Sequence, residues 1–186
     1  MSSPLHTDES AMRLALYQAQ AAWAAGEVPV GAVIVRGGEV IAVGYNRPIA
    51  ESDPTAHAEI VALRQAARLM SNYRLPECEL FVTLEPCAMC AMALLHARFK
   101  RVVFGASDPK TGAAGSVVNL FESAQLNPHT ELTGGVLSEP CGQVLRDFFA
   151  ERRRASRQKR EAMNLLPGPG TAQVLGDDTL INSDTP

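Results

Sequence analysis

Predicted strands alternate with predicted helices along most of the chain, and this order constrains the fold more than any other feature of the sequence. The stretch VPVGAVIVRGGEVIAVGYN, residues 28–46, contains two β-branched runs on either side of Gly37-Gly38, a dipeptide typical of hairpin turns. Further short apolar runs predict strands at residues 79–84, at residues 100–106 and around residues 135–137.

Helical periodicity and helix-end signals mark the segments between these strands. Acidic residues open the first helical segment, which places apolar side chains at helical spacing, and Pro86 suits the first turn of a later helix. The predicted helices cover residues 8–25, residues 56 or 57 to 70, residues 86–99 and residues 139–160, and loops are predicted at residues 47–55 and 111–116.

This order of elements is typical of an α/β protein in which helices cover both faces of a central sheet. The chain has 186 residues, enough for one domain with a proper core. Residues 161–186 contain PGPG, three Asp residues, one Ser and little periodicity, which predicts a disordered tail. The sequence therefore predicts one domain over residues 1–160 and a tail over residues 161–186.

Composition and charge narrow the class of protein. Hydrophobic residues make up 46% of the chain, and no apolar run approaches the roughly 20 residues of a membrane span. The first ten residues are polar, so no signal peptide is predicted and the expected location is the cytoplasm. The net charge is −3, but residues 151–160, ERRRASRQKR, carry six basic side chains and one acidic one. On charge alone, this segment indicates a solvated helix face rather than a phosphate contact.

A possible metal site starts with Cys87 and Cys90, because cysteines three residues apart on a helix share one face. They lie at a predicted helix start, where the helix dipole favours thiolate over thiol. A catalytic zinc ion usually takes three protein ligands and one water. His57, which lies at another predicted helix start, is the best candidate for the third ligand. The sequence thus predicts one Zn²⁺ bound by His57, Cys87 and Cys90.

Glu59 follows His57 by two residues, close to the predicted ion but outside its ligand set. Zinc lowers the pKa of a bound water from about 15.7 to about 7, and a nearby group must then take up and pass on protons. Glu59 is predicted to do this as the general acid and base, which needs hydrogen-bond reach of both nucleophile and substrate.

Two other interpretations of the cysteines stay open at this point. A thioredoxin-like redox pair carries less weight, because the βαβ context before the cysteines is missing. A structural zinc site with four protein ligands would need Cys141 or His96 as its fourth member.

The two motifs together match a known signature. H-x-E followed by P-C-x-x-C is typical of zinc nucleobase deaminases, and HAE (57–59) and PCAMC (86–90) fit it without substitution. From about residue 8 to residue 155 the chain resembles the bacterial tRNA-specific adenosine deaminases, on VPVGAV, YNRPI, DPTAHAEI, NYRL, TLEPCAMC, KTGAAGS and DFF. These enzymes belong to the cytidine and deoxycytidylate deaminase superfamily. The resemblance implies a three-layer α/β/α fold around a mixed five-stranded sheet.

The resemblance also implies a reaction, the conversion of the wobble adenosine of a tRNA anticodon loop to inosine, with one Zn²⁺ in each subunit of a homodimer. It implies that Asn46 hydrogen-bonds the flipped nucleoside and that the basic segment 151–160 contacts RNA. The implied substrate contacts are Val30, Asn46, Ala58, Asp108, Lys110, Phe149, Arg152 and Arg153, with Arg154 beside the last two.

Two alternative functions remain. A related zinc deaminase acts on free bases or nucleosides, such as guanine or cytosine, and a zinc-stabilised RNA-binding module needs no proton transfer by Glu59. The basic segment 151–160 favours an RNA substrate over a free base. Met92, Leu94 and Leu95 suit a dimer interface as well as they suit the core.

Overall fold

The computed structural model describes residues 7–126 and 129–164. No helix in these ranges is long and apolar enough to cross a membrane. The elements are α1 (Asp8–Ala24), β1 (Gly31–Arg36), β2 (Glu39–Tyr45), α2 (Pro48–Glu51), α3 (Ala58–Leu69), β3 (Cys78–Leu84), α4 (Ala88–Ala97), β4 (Arg101–Ala106), a 3-10 turn (Ala124–Leu126), β5 (Glu131–Thr133) and α5 (Ser138–Asn164).

The chain divides into two compact units, Met1–Glu151 and Arg152–Pro186. The end of α5 belongs to the second unit. The predicted tail, residues 161–186, begins as the last residues of α5 and otherwise lies outside the described residues.

The strands form one mixed sheet in the order β2-β1-β3-β4-β5, which confirms the predicted five-stranded architecture. β1 is antiparallel to both β2 and β3, whereas β4 is parallel to both β3 and β5. Gly37 and Gly38 close the predicted hairpin with φ values of 58° and 81°. A two-residue type I′ turn requires such left-handed values, and glycine adopts them without a steric cost.

Helices cover both faces of the sheet, and neighbouring strand residues divide between two hydrophobic cores. On one face, α3 and α4 contribute Ala62 and Leu94 to a core that includes Ile34 of β1. On the other face, α1 contributes Met12 to a core that includes Val33 of the same strand. Val33 and Ile34 point to opposite faces because side chains alternate along a strand. The three-layer arrangement that the resemblance implied is confirmed.

The starts of α3 and α4 lie close together at one end of the strands. A Cβ on Gly44 of β2 would lie 2.3 Å from the carbonyl oxygen of Ala58, so only glycine lets the first turn of α3 approach this closely. The end of β2 is paired with the start of β1, and β1 in turn is antiparallel to β3. α4 follows directly after the end of β3. His57, Glu59 and the two cysteines are therefore carried to the same place.

The loop predicted at residues 47–55 needs a correction, because Pro48–Glu51 form the single turn of α2. The ring of Pro48 fixes φ near the helical value and suits the first position of this turn. Four residues are too few to show a helical period, so the sequence pattern gave no sign of it.

Two further boundaries differ from the prediction. The last strand is Glu131–Thr133 rather than residues 135–137, since Gly135 and Leu137 have φ values of 87° and 51°, which no strand contains. Pro86 precedes α4 instead of starting it, because Cys87 has extended backbone angles and is the N-cap.

Candidate active site

The predicted zinc ligands lie at the starts of two helices. His57 is the N-cap of α3 and Cys87 is the N-cap of α4, and neither side chain caps its own helix. Cys90 is buried in the first turn of α4. The two N-cap side chains are therefore available to bind something other than the helix backbone.

The ligand atoms of this zinc-ligand cluster (His57, Cys87 and Cys90) all lie within 4.8 Å of one another. Nδ1 of His57 is 3.7 Å from Sγ of Cys87 and 3.6 Å from Sγ of Cys90. A tetrahedral zinc ion with bonds of about 2.3 Å to sulfur and about 2.0–2.1 Å to nitrogen sets these separations at about 3.5 Å. The arrangement fits zinc, with three protein ligands and a fourth position left for water.

The two thiols differ in how readily they ionise. A hydrogen bond from Cys90 lowers the pKa of Cys87 to about 4, and the same bond, together with burial, raises the pKa of Cys90. The contact with Cys87 raises the pKa of His57, although burial opposes this. The cluster therefore shares protons among its own members, and a metal displaces those protons when it binds.

Among the described residues, this cluster is the one group of three such side chains that is close enough to share an ion. Cys78 is buried in β3, Cys141 is buried in α5 and His96 is exposed near the end of α4, and none of them joins the cluster. The predicted alternative, a structural site completed by Cys141 or His96, is therefore not supported.

Glu59 is only 4% exposed, although it lines the pocket beside the cluster. Burial raises the pKa of its carboxyl to about 7, and its own backbone N–H and the positive field of His57 counteract only part of this effect. A carboxyl group that exchanges a proton near neutral pH is what a general acid and base requires.

Asn46 connects the two segments that border the pocket. Its Oδ1 accepts a hydrogen bond of 2.9 Å from the N–H of Ala58, and its Nδ2 donates one of 3.1 Å to the carbonyl oxygen of Val28. The N–H of Ala58, an implied base contact, is thus already paired with Asn46. The amide of Asn46 keeps a second N–H for a ligand, since each side-chain amide carries two.

A pocket of about 250 Å³ lies next to the zinc-ligand cluster. Its lining includes six of the residues named from the sequence: Val30, Asn46, His57, Glu59, Cys87 and Asp108. The other lining residues are Val28, Pro48, Leu84, Glu85 and Thr111. These six residues therefore lie around one cavity.

Asp108 lines this pocket but also caps its own turn. Its Oδ1 accepts hydrogen bonds from the N–H groups of Lys110 and Thr111, at 2.9 and 3.3 Å, and its Oδ2 accepts one of 2.6 Å from the Thr111 hydroxyl. Lys110 is exposed and does not line the pocket. The turn-forming role that an Asp before proline often plays is therefore present here.

Phe149, which the resemblance implied as a substrate contact, does not line the pocket. It lies on α5 with its ring edge-to-face against Phe148, at 5.5 Å between centroids, and it is 44% exposed. Arg152 and Arg153 are exposed on the part of α5 that belongs to the second unit.

Glu85 was missed by the sequence analysis, although it stands two residues before Cys87. It is 3% exposed and lines the pocket. Burial opposes its ionisation, but hydrogen bonds from Ser116, Asp108 and Ala114 outweigh burial and hold the pKa of its carboxyl below the ordinary value. Its partners lie 23 to 31 residues further along the chain, so no local motif marks them.

Comparison with known proteins agrees with this site. The family model of the cytidine and deoxycytidylate deaminase zinc-binding region matches residues 5–106. The fold and the site together define a zinc-dependent deaminase.

A curated relative, the tRNA-specific adenosine deaminase of Haemophilus influenzae, is 51% identical over 160 residues, which are 86% of this chain and 92% of the relative. A solved structure from work on A-to-I editing by tRNA:A34 deaminases at the wobble position of transfer RNA is 42% identical, with a TM-score of 0.71; the match covers 73% of this chain and 99% of that one. A solved structure from work on guanine deaminase from Nitrosomonas europaea also has a TM-score of 0.71, at 26% identity, over 80% of this chain and 87% of that one. This chain belongs to the tRNA-specific adenosine deaminases of the cytidine and deoxycytidylate deaminase family.

Proposed function

We propose that this protein hydrolyses adenosine to inosine, with release of ammonia, at the wobble position of a tRNA anticodon loop. The observation that carries the proposal is the convergence of His57 Nδ1 and two cysteine sulfurs beside a pocket that also contains the buried Glu59. The family relationship supports the choice of substrate.

His57, Cys87 and Cys90 hold the zinc ion. When bound, Zn²⁺ supplies a Lewis acid that makes a water molecule nucleophilic near neutral pH. Glu59 takes up the first proton that the water loses as its oxygen bonds to C6 of adenine, and delivers it to ring nitrogen N1. It then takes the second proton from the new hydroxyl on C6 and delivers it to the departing amine as the carbonyl forms. The C6–N6 bond then breaks and ammonia leaves. The buried position of Glu59 beside the ligands suits this two-way transfer.

The pocket suits one nucleoside. Its volume of about 250 Å³ lies below the roughly 300–1,000 Å³ of pockets that enclose drug-sized ligands. Val30 packs against the base, Asn46 offers its second amide N–H to the base or sugar, and Ala58 acts through its bond to Asn46. A base in an anticodon loop is already unstacked, so bringing it into the pocket costs less than extruding it from a duplex.

Binding of tRNA draws on side chains outside this pocket. Lys110 is exposed next to Asp108, and Arg152 and Arg153 are exposed on α5. Arginine and lysine at such positions neutralise phosphates and position an RNA without reading its bases. Asp108 contributes to the pocket wall, and the exposed ring of Phe149 is available to a base or to a partner chain.

The proposed oligomer is a homodimer, and the proposed location is the cytoplasm. An enzyme that modifies tRNA must share a compartment with it. The match to a solved tRNA:A34 deaminase structure over 73% of this chain supports the family relationship on which the proposed homodimer rests.

Deamination of a free purine base is the second candidate function. It is favoured by the likeness to the guanine deaminase structure and by a pocket that takes no more than a nucleoside. The basic side chains at residues 152–160 favour RNA, because a neutral free base gains nothing from them.

One experiment separates the two functions. Zinc-loaded protein is incubated with an anticodon stem-loop that carries a wobble adenosine, and in parallel with free adenosine and free guanine. Inosine in the stem-loop, lost after chelation and restored by zinc, supports the proposal. Turnover of guanine without any inosine in the stem-loop replaces it with the second candidate, and retention of activity in zinc-free protein rejects both.

A further inference from the structure

Glu85 lies between the end of β3 and the zinc ligand Cys87, and its carboxylate is surrounded by donors. Oε1 accepts hydrogen bonds from the N–H groups of Ala114 and Ser116, at 2.9 and 3.0 Å. Oε2 accepts one of 2.9 Å from the N–H of Asp108 and another from the hydroxyl of Ser116. All of these donors belong to one segment, residues 108–116, which we call the wall segment.

The wall segment is shaped to receive this carboxylate. Gly112 packs so closely that a Cβ there would lie 2.4 Å from Cδ of Glu85 and 2.6 Å from the carbonyl oxygen of Asp108. Real Cβ atoms do not make such contacts, so an alanine at this position would displace the segment. Glu85 can pack against Gly112 because glycine has no side chain.

The wall segment also borders the substrate. Asp108 and Thr111 line the pocket together with Glu85 itself. The backbone of the segment meets the start of α4, where Gly112 bridges to Cys87 and the N–H of Ala113 donates to the carbonyl oxygen of Pro86 at 2.8 Å. A shift of the segment therefore changes the pocket's shape, and zinc content shows whether the shift also reaches Cys87.

Proton transfer is not a role that Glu85 can take. An ionised carboxylate has about four acceptor positions, and four donors already occupy those of Glu85. Glu85 is also absent from the zinc-ligand cluster. A buried carboxylate that accepts four hydrogen bonds holds the donor groups in place.

We propose that Glu85 is a positioning residue that clasps the wall segment in place and thereby determines how tightly the substrate nucleoside binds. The inference rests on the proposed function, because that function assigns the pocket to the substrate nucleoside. The four donors to Glu85 lie outside α3 and α4, whose starts carry Glu59 and the zinc ligands, so we expect a loosened wall to weaken binding and to leave the chemical step largely intact.

We call the four hydrogen bonds between Glu85 and the wall segment the clasp. The variant Glu85→Gln tests it with almost no change in side-chain volume. The amide oxygen of Gln can accept from one side of the wall segment, but its NH₂ group then faces N–H donors on the other side. One edge of the segment is released whichever way the amide turns. We expect KM for the stem-loop to rise about tenfold, kcat to stay within about threefold and the zinc content per chain to stay equal to that of the wild type.

Gly112→Ala breaks the same clasp from the opposite side with Glu85 intact, and we expect the same rise in KM. Glu39→Gln is the matched control, since Glu39 is exposed at the start of β2, and its KM should equal that of the wild type. Melting temperature is recorded for every variant. A purely structural role would lower zinc content and kcat along with stability, without a separate effect on KM.

The outcomes separate the inference from the proposed function. KM is measured on whichever substrate the wild-type protein turns over, so failure with the stem-loop concerns the proposed function alone. An unchanged KM in Glu85→Gln overturns the clasp, and so does a loss of zinc or of kcat without a rise in KM. A rise in KM in Gly112→Ala alone would show that the segment matters but that Glu85 does not hold it.

Discussion

Two buried glutamates line the same pocket in opposite surroundings. Glu59 and Glu85 are 4% and 3% exposed, so solvent exposure of the residue does not distinguish them. The wall segment donates four hydrogen bonds to Glu85. Glu59 has its own backbone N–H and the thiol of Cys90 as hydrogen-bond partners. Burial raises the pKa of Glu59 to about 7, whereas hydrogen bonds hold the pKa of Glu85 below its ordinary value.

The comparison shows that hydrogen-bond donors aimed at a carboxylate can outweigh burial, because burial alone acts on both groups in the same direction. A carboxylate whose acceptor positions are filled is held ionised and becomes a fixed structural anchor. One that is buried with few donors exchanges protons near neutral pH, which suits an acid and base in catalysis. The same residue type thus serves chemistry at one position and architecture at the other.

The largest difference between the two should appear in catalysis. Glu59→Gln removes the group that takes up and returns protons, and we expect kcat to fall about 10²–10⁴-fold. KM and zinc content should stay near the wild-type values, because Glu59 is outside the zinc-ligand cluster. Steady-state kinetics of inosine formation in a stem-loop, together with zinc analysis, measure all three quantities.

Glu85→Gln, measured alongside, is the control for this result, since it makes the same chemical change in the same pocket. A Glu59→Gln enzyme that kept kcat within about threefold of the wild type would mean that another group moves the protons. The distinction between the two glutamates would then collapse.

Substitutions of the two glutamates should change the free energy of unfolding in opposite directions. Glu85→Ala leaves buried N–H groups of the wall segment without an acceptor, and each such orphaned group costs about 1–3 kcal/mol. Glu59→Gln replaces a poorly solvated carboxylate by a neutral amide, so its free energy of unfolding should be equal to or above that of the wild type. Chemical denaturation of the zinc-loaded proteins checks both signs, and a more stable Glu85→Ala protein would contradict the anchor role.

The sequence predicts most elements of this fold, because they are long enough to show a helical or strand pattern of apolar residues. The apolar pattern of residues 8–25 and the Gly37-Gly38 pair correspond closely to α1 and the β1-β2 hairpin. The last strand was misplaced because Val136 and Leu137 are apolar, while the left-handed φ values of Gly135 and Leu137 leave no trace in composition. Glu131–Thr133 forms a strand through backbone pairing with β4, over only three residues.

Some residues of the candidate site could likewise be predicted from the sequence, and others could not. His57 and Cys87 could be predicted because each stands at a helix start, and helix starts can be recognised locally. Glu85 could not, because three of its four bonds come from backbone N–H groups, which every residue except proline possesses. The pairing of Asn46 with Ala58 was missed for the same reason, since its geometry depends on how α3 packs against β2 at Gly44.

The smallest expected effect resolves how the clasp is built. Ser116→Ala removes one hydroxyl from Oε2 of Glu85 but keeps the 3.0 Å bond from the Ser116 N–H to Oε1. Ser116 is exposed, so water can replace the hydroxyl, and we expect a loss of about 0.5–1.5 kcal/mol in stability and a two- to threefold rise in KM at most. Denaturation and steady-state kinetics beside Glu85→Gln measure both. If Ser116→Ala equals Glu85→Gln in KM, the clasp depends on a single hydroxyl contact. If it lies well below, the three backbone donors hold the wall, which is the arrangement that separates Glu85 from Glu59.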